Sequence, residues 1–194
     1  MRGAARVMTA STGTVRETPK EFFTAVDAQF CCTIDVCALP TNKKLPRFFS
    51  PQDNGLAQSW EGENAWGNYP YGREIGDWLA KGRHEAMYAR AVVVQLLPAR
   101  VDTSWWRTFV LNQDGRAGRL LTSKWDPAAQ VLWLRWEGLI TGVYHHDQRL
   151  PFDDAETGAP FPSSLVWHIS PSRSRWRGRV EGDVLPDLLA GWPR

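Results

Sequence analysis

The sequence predicts an α/β fold, and three adjoining segments carry that expectation. Ala91 to Leu97 is a continuous, largely β-branched run that suits a strand buried on both faces. The segment before it, Arg73 to Tyr88, places Ile75, Trp78, Leu79 and Ala86 at helical spacing, and Glu63 to Asn68 reads as a strand ahead of that helix. Strand, helix and buried strand in this order make a parallel crossover unit. With 194 residues, the chain can bury one continuous core and is too short for two full ones.

The elements follow along the chain. Residues 1–16, rich in Ala, Arg, Thr and Gly, show no periodicity and are expected to form a flexible leader. Pro19 to Phe30 carries Phe22, Phe23, Val26 and Phe30 on one helical face, with Pro in the first turn and Thr18 placed to cap it. Cys32 to Ala38 is a short apolar run and reads as a strand. Pro40 to Pro46 makes a polar loop, Arg47 to Phe49 a second short strand, and Gly55 to Trp60 a turn. Beyond the crossover unit, Thr103 to Leu111 reads as a helix, Val131 to Trp136 as a strand, and Ser164 to Ile169 as a last strand opened by Pro160-Phe161-Pro162. Thr141 to Gly158 lies between those two strands as a long polar and aromatic insertion, where short connections are the norm. The tail from residue 171 holds Arg173, Arg175, Arg177 and Arg179 at alternate positions. No repeat of fixed period is present.

Composition narrows the classes of function. The net charge of +2 sets up no global field toward nucleic acid, so such binding has to come from local clusters of Lys and Arg. Eleven Trp residues exceed ordinary usage; they serve as core and rim packing or as base-stacking surfaces. Cys31, Cys32 and Cys37 lie within seven residues, without a fourth ligand at zinc spacing, and read as buried, reduced thiols of a reducing compartment. No metal site is expected: His145 and His146 beside Asp147 read as a solvated loop. The absence of a signal segment and of any run of eighteen apolar residues predicts a cytoplasmic protein with no membrane partner.

The segment with chemical content is Asn68-Tyr69-Pro70-Tyr71, between a strand and a helix. An amine conjugated to a heteroaromatic ring is a poor nucleophile, because its lone pair is delocalised. Two acceptors that pull its hydrogens out of conjugation restore reactivity, and the Asn68 side-chain oxygen with the backbone carbonyl of residue 69 can supply them. Tyr71 offers a flat face for the ring. The same residues also suit a simple turn. Asp35 at a strand end can be read as a loop cap, and Asp53 and Asn54 as turn residues.

From Thr18 to about Ile169 the chain resembles the phage-type DNA adenine N6-methyltransferases. The matching segments are Thr18-Pro19-Lys20-Glu21-Phe22-Phe23, Ile34-Asp35-Val36-Cys37-Ala38 with Asn42 downstream, Pro46-Arg47-Phe48-Phe49 and Gly55-Leu56-Ala57-Gln58-Ser59-Trp60. They continue with Asn68-Tyr69-Pro70-Tyr71-Gly72-Arg73, Leu97-Pro98-Ala99-Arg100-Val101-Asp102-Thr103 and Pro160-Phe161-Pro162-Ser163-Ser164. Each is short; their order over some 150 residues carries the resemblance.

The resemblance implies a Rossmann-like methyltransferase fold over residues 17–170, with a mixed sheet of about seven strands, helices on both faces and an antiparallel strand near one edge. It implies S-adenosyl-L-methionine as cofactor, lying over the strand ends. Thr18 and Pro19 would line its methionine end, Asp35 would meet its amino group, and Asp53 and Asn54 are candidates for its adenosine edge. Asn68, Tyr69 through its carbonyl, Pro70 and Tyr71 would form the adenine pocket. Double-stranded DNA is the implied partner, with Arg73, Arg100, Tyr144, His145, Arg149, Arg173 and Arg175 as candidate contacts and residues 141–158 as a candidate target-recognition insertion. The implied setting is a bacterial or phage-infected host cell, the gene being of phage or prophage origin. Two positions depart from the family: Tyr69-Pro70 replaces two prolines, and Asn54 stands where relatives often have an acidic residue. Methylation of RNA or of a protein glutamine amide, and an inactive nucleic-acid-binding relative, are the alternatives.

Overall fold

The computed structural model describes residues 17–147, 149–151 and 161–172. Helix α1 (Lys20–Phe30) turns its Phe22, Phe23, Val26 and Phe30 inward, as their spacing predicts. Thr18 does not cap it. The N-cap position is Pro19, no side chain caps the helix, and the Thr18 hydroxyl is used elsewhere. Cys31 ends α1 in the left-handed region (φ 46°), and the Asn64 side-chain amide donates to the carbonyls of Phe30 and Cys31.

Strand β1 (Ile34–Asp35) is much shorter than the predicted Cys32 to Ala38. Its ladder with β2 (Asn64–Gly67) pairs Ile34 with Ala65 and Asp35 with Trp66, after which the chain turns under the Asp35 carboxylate. The predicted strand at Arg47 to Phe49 is a single parallel bridge between Phe48 and Asp35. Helix α2 (Ile75–Tyr88) and strand β3 (Val92–Pro98) complete the crossover unit, with β1, β2 and β3 parallel. Every residue of β3 is buried, so its uninterrupted apolar run reflects a central position in the sheet.

The second half departs further from expectation. The helix predicted at Thr103 to Leu111 is present over Trp106–Val110 in π form. Strands β4 (Leu120–Asp126), β5 (Val131–Trp136), β6 (Ile140–His145) and β7 (Ser163–Ile169) then form an antiparallel meander. The resulting seven-stranded mixed sheet runs β1-β2-β3-β7-β6-β5-β4. Only β1–β2 and β2–β3 are parallel pairs; the other four neighbours are antiparallel. In place of the single antiparallel strand implied near one edge, four of the seven strands, β4 to β7, pair antiparallel. The insertion expected at Thr141 to Gly158 is also shorter, because Thr141 to His145 is strand.

The two faces of the sheet are covered separately. Val92, Val94 and Leu96 pack with α1, Trp66 and Trp167, while the alternate Val93 and Leu97 pack with α2, Tyr69, Trp78 and Trp106. Arg83, buried on α2, pairs with Asp114 and donates to the Thr108 carbonyl, fastening the π-helical turn to α2. Among the described Trp residues, Trp60, Trp66, Trp78, Trp106, Trp136 and Trp167 are buried, so packing is the main use of this residue. Cys32 is buried, whereas Cys31 is exposed. No helix among the described residues is long and apolar enough to cross a membrane.

Candidate active site at the carboxyl ends of the parallel strands

The register brings one set of chain segments to a single edge of the sheet. Asp35, Gly67 and Pro98 end β1, β2 and β3, and Ser163 at the start of β7 pairs with Pro98. His145 at the end of β6 pairs with Ser164. Open α/β sheets bind ligands at the carboxyl ends of parallel strands, where loops leave backbone groups and side chains free to converge.

Asn68 leaves this edge from the end of β2. Its Nδ2 donates to Thr18 Oγ1 at 3.0 Å, and its Oδ1 accepts from the Tyr71 hydroxyl at 3.0 Å. The amide is therefore held from both sides, with its oxygen turned toward Tyr71. Thr18 and Pro19 are buried just ahead of α1, while Pro70 is exposed. The Tyr71 ring meets Phe161 edge to face, with centroids 5.5 Å apart.

Tyr69 points elsewhere. Its ring is 2% exposed, lies over Gly67 and stacks on Trp78 at 4.9 Å, and Trp78 in turn stacks on Trp60. A Cβ at Gly67 would overlap the Tyr69 ring, so the last residue of β2 has to be glycine for this packing. Only the backbone of residue 69 stays at the edge.

Asp35 is 3% exposed, and its two oxygens accept from the backbone N–H groups of Cys37 (3.3 Å) and Lys44 (3.0 Å). It does cap the loop after β1, as an Asp at a strand end often does. Burial outweighs these hydrogen bonds and pushes its carboxyl up to about 6. The Lys44 ammonium is engaged by Glu17 at 2.7 Å. A buried carboxylate whose neighbouring cation is tied to another acid fits an incoming ammonium group. Burial, reinforced by Asp35, pushes the Cys37 thiol up to about 12, so it stays protonated.

The turn before Gly55 sits beside the end of β1. Gly55 packs so closely on the Val36 carbonyl that no Cβ fits there. Asp53 accepts from the Ser50 backbone and hydroxyl, and Asn54 adopts the left-handed region (φ 55°), which asparagine tolerates well. Both are exposed turn residues next to the end of β1.

Among the predicted DNA contacts, Arg73, Arg100, His145 and Arg149 are exposed. Tyr144 is 5% exposed and packs in the α1-side core, because strand alternation turns it away from His145. Its burial makes it a packing residue rather than a surface contact. Arg173 and Arg175, with Arg177 and Arg179, lie outside the described residues, as do 148 and 152–158 of the insertion. Sequence reasoning gave no role to Trp106, which stacks on His145 at 5.7 Å, or to Ser164, whose hydroxyl meets His145 Nδ1 at 2.7 Å. The available signal was the Trp105-Trp106 pair shortly after the buried strand. One face of the His145 ring is covered by Trp106 although the residue is exposed on its outer side, and this partial desolvation pulls the imidazole below its usual range, which favours the neutral ring.

Two comparisons with known proteins bear on the family of this chain. A DNA N-6-adenine-methyltransferase of Haemophilus phage HP1 (strain HP1c1) is 29% identical over 125 residues, which is 64% of this chain. The match spans 57% of that relative's length. The family described as DNA N-6-adenine-methyltransferase (Dam) matches residues 8–158, a range holding the strand-end Asp35, the doubly held Asn68 amide and the central crossover unit. On that match the chain belongs to the DNA N-6-adenine-methyltransferase (Dam) family.

Proposed function

We propose that the protein transfers a methyl group from S-adenosylmethionine to the exocyclic N6 amine of adenine in double-stranded DNA, on a Rossmann-like sheet. The observation that carries this reading is the Asn68 amide, fixed at the carboxyl end of β2 beside Tyr71. Family membership supports the methyl-transfer class. Residues 17–170 form the catalytic domain, working in the cytoplasm of a bacterium or an infected host.

Asp35 would hold the ammonium end of the cofactor, Thr18 and Pro19 would wall its methionine part, and the Asp53–Asn54 turn would border its adenosine. When bound, the cofactor supplies an electrophilic methyl on a positively charged sulfur. Asn68 Oδ1 and the carbonyl of residue 69 accept the two amine hydrogens and localise the nitrogen lone pair toward that methyl. Oδ1 has two lone pairs, so it can keep the Tyr71 hydroxyl while accepting one amine hydrogen. Alignment supplies a large share of the acceleration; the transfer would break the S–CH3 bond and leave a neutral thioether, and the methylated nitrogen would release its surplus proton to water, so no charged base is needed. The adenine leaves the duplex at a cost of a few kcal/mol, offset in part by about 1–3 kcal/mol of stacking on Tyr71. Arg73, Arg100 and Arg149 take backbone phosphates; Arg173 and Arg175 of the tail do the same. His145, backed by Trp106, faces the DNA at the same edge.

Incubation with methyl-labelled S-adenosylmethionine and separate pools of duplex DNA, RNA and protein tests the reading. Label recovered as N6-methyladenine in DNA supports it. Label confined to RNA or to protein glutamine overturns it.

A further inference from the structure

We infer that Thr18 is a positioning residue for the target amine, acting through the Asn68 amide. This rests on the proposed methyl transfer and assigns Thr18 a task distinct from contact with the cofactor's methionine end. A side-chain amide presents oxygen or nitrogen to a pocket with nearly equal sterics. Only the oxygen can accept an amine hydrogen; the NH2 group would meet that hydrogen donor to donor. The enzyme therefore needs a device that sets the amide's sense.

The structure supplies one from two directions. Thr18 is 2% exposed and lies on the link that leads into α1, where it does not cap the helix. Its Oγ1 accepts from Asn68 Nδ2 at 3.0 Å, which points the nitrogen toward the α1 side. The Tyr71 hydroxyl donates to Oδ1 at 3.0 Å from the other side. Reversal of the amide would place the NH2 group against the Tyr71 hydroxyl and the oxygen against Thr18. Both hydroxyls could rotate to follow, so neither alone fixes the sense. Together they hold the amide from both ends, and Thr18 Oγ1 supplies the buried acceptor on the nitrogen side, whose loss loosens the side chain that has to meet the amine. Thr18 also joins the cofactor-lining segment to the adenine pocket, so the two halves of the site are set by one contact.

The test compares Thr18→Val, which removes the hydroxyl at constant volume, with Thr18→Ser, which keeps Oγ, in the full-length chain. Three readouts are taken: kcat and KM on duplex DNA at saturating S-adenosylmethionine, cofactor affinity by calorimetry, and hydrogen exchange of the Asn68 side-chain amide by NMR. The expected result is a fall of about tenfold in kcat for Thr18→Val, equivalent to about 1.4 kcal/mol in the barrier. Cofactor affinity should stay within about threefold, and exchange of the Asn68 amide protons should speed up. Thr18→Ser should recover most of kcat and of the amide protection. Wild-type kcat in Thr18→Val, or a lost cofactor affinity with unchanged kcat, overturns the inference and leaves the methyl-transfer reading standing. If wild type methylates no DNA, that reading fails by itself; amide protection that is present in wild type and lost only in Thr18→Val still supports the positioning contact, and equal protection in both overturns it.

Discussion

Replacing Tyr69 by Ala removes a ring whose two conceivable duties are packing in the core and stacking on a base. In the structure the ring is 2% exposed and stacks on Trp78 with an interplanar angle of 13°, within an aromatic column that continues to Trp60. Truncating a buried aromatic costs about 3–5 kcal/mol, of which the ring pair accounts for about 0.5–1.5 kcal/mol. For a chain of this size that corresponds to a fall in Tm of about 6–20 °C. Tyr69→Phe should behave differently, because the hydroxyl is buried with no hydrogen-bond partner among the described residues. Removing a buried, unpaired polar group is neutral or stabilising by up to about 1 kcal/mol. Calorimetric melts of both variants, with KM for DNA measured below the transition, make the comparison. An unchanged Tm for Tyr69→Ala together with a several-fold higher KM would show that the ring serves the base, and the packing argument would be wrong.

Further expectations follow from the same geometry. Asp35 ionises at about 6 in the free protein, raised by burial, so cofactor affinity should weaken about tenfold per pH unit below 6 and lose that dependence in Asp35→Asn, as read by calorimetry across pH 4.5–8. Because the folded state favours the protonated acid, free-protein stability should decline as pH rises from about 4 to about 6 and then level off; a rise over that window would contradict the assignment. Gly142→Ala would drive a methyl into the Trp167 ring and should cost about 1–3 kcal/mol in urea unfolding, whereas an unchanged midpoint would mean the ring moves aside freely. Asp114→Ala leaves the buried Arg83 guanidinium with the Thr108 carbonyl and without its carboxylate, and should cost about 2–4 kcal/mol.

What the sequence reveals depends on whether a residue's neighbours are local. Helices α1 and α2 and strand β3 were legible because their inward faces repeat with the period of the element itself. Strand β4 was not, since six of its seven residues are exposed and no alternation marks a buried face. Strand β6 was hidden by Gly142, which reads as loop until the Trp167 ring of the neighbouring strand is seen lying over it. The Asn68 to Tyr71 segment could be singled out as a candidate through its residue types at a strand end. The destinations of Tyr69 and Thr18 were set by Trp78 and Asn68, partners nine and fifty positions away, and no local pattern reports such contacts. Tyr144 follows the same logic: strand parity, visible only once β6 is recognised, sends it into the core while His145 faces out.

The central claim is that Asn68 accepts a hydrogen of the target amine and takes no part in holding the cofactor. The most direct measurement sets N6-methyladenine formed in duplex DNA by Asn68→Ala, under single-turnover conditions, beside calorimetric affinity for S-adenosylmethionine in the same preparation. The expected result is a loss of at least about a hundredfold in the methylation rate, on the scale of removing one donor or acceptor that stabilises a transition state, with cofactor affinity within a few-fold of wild type. A methylation rate near wild type, or a rate loss matched by an equal loss of cofactor affinity, would contradict the account.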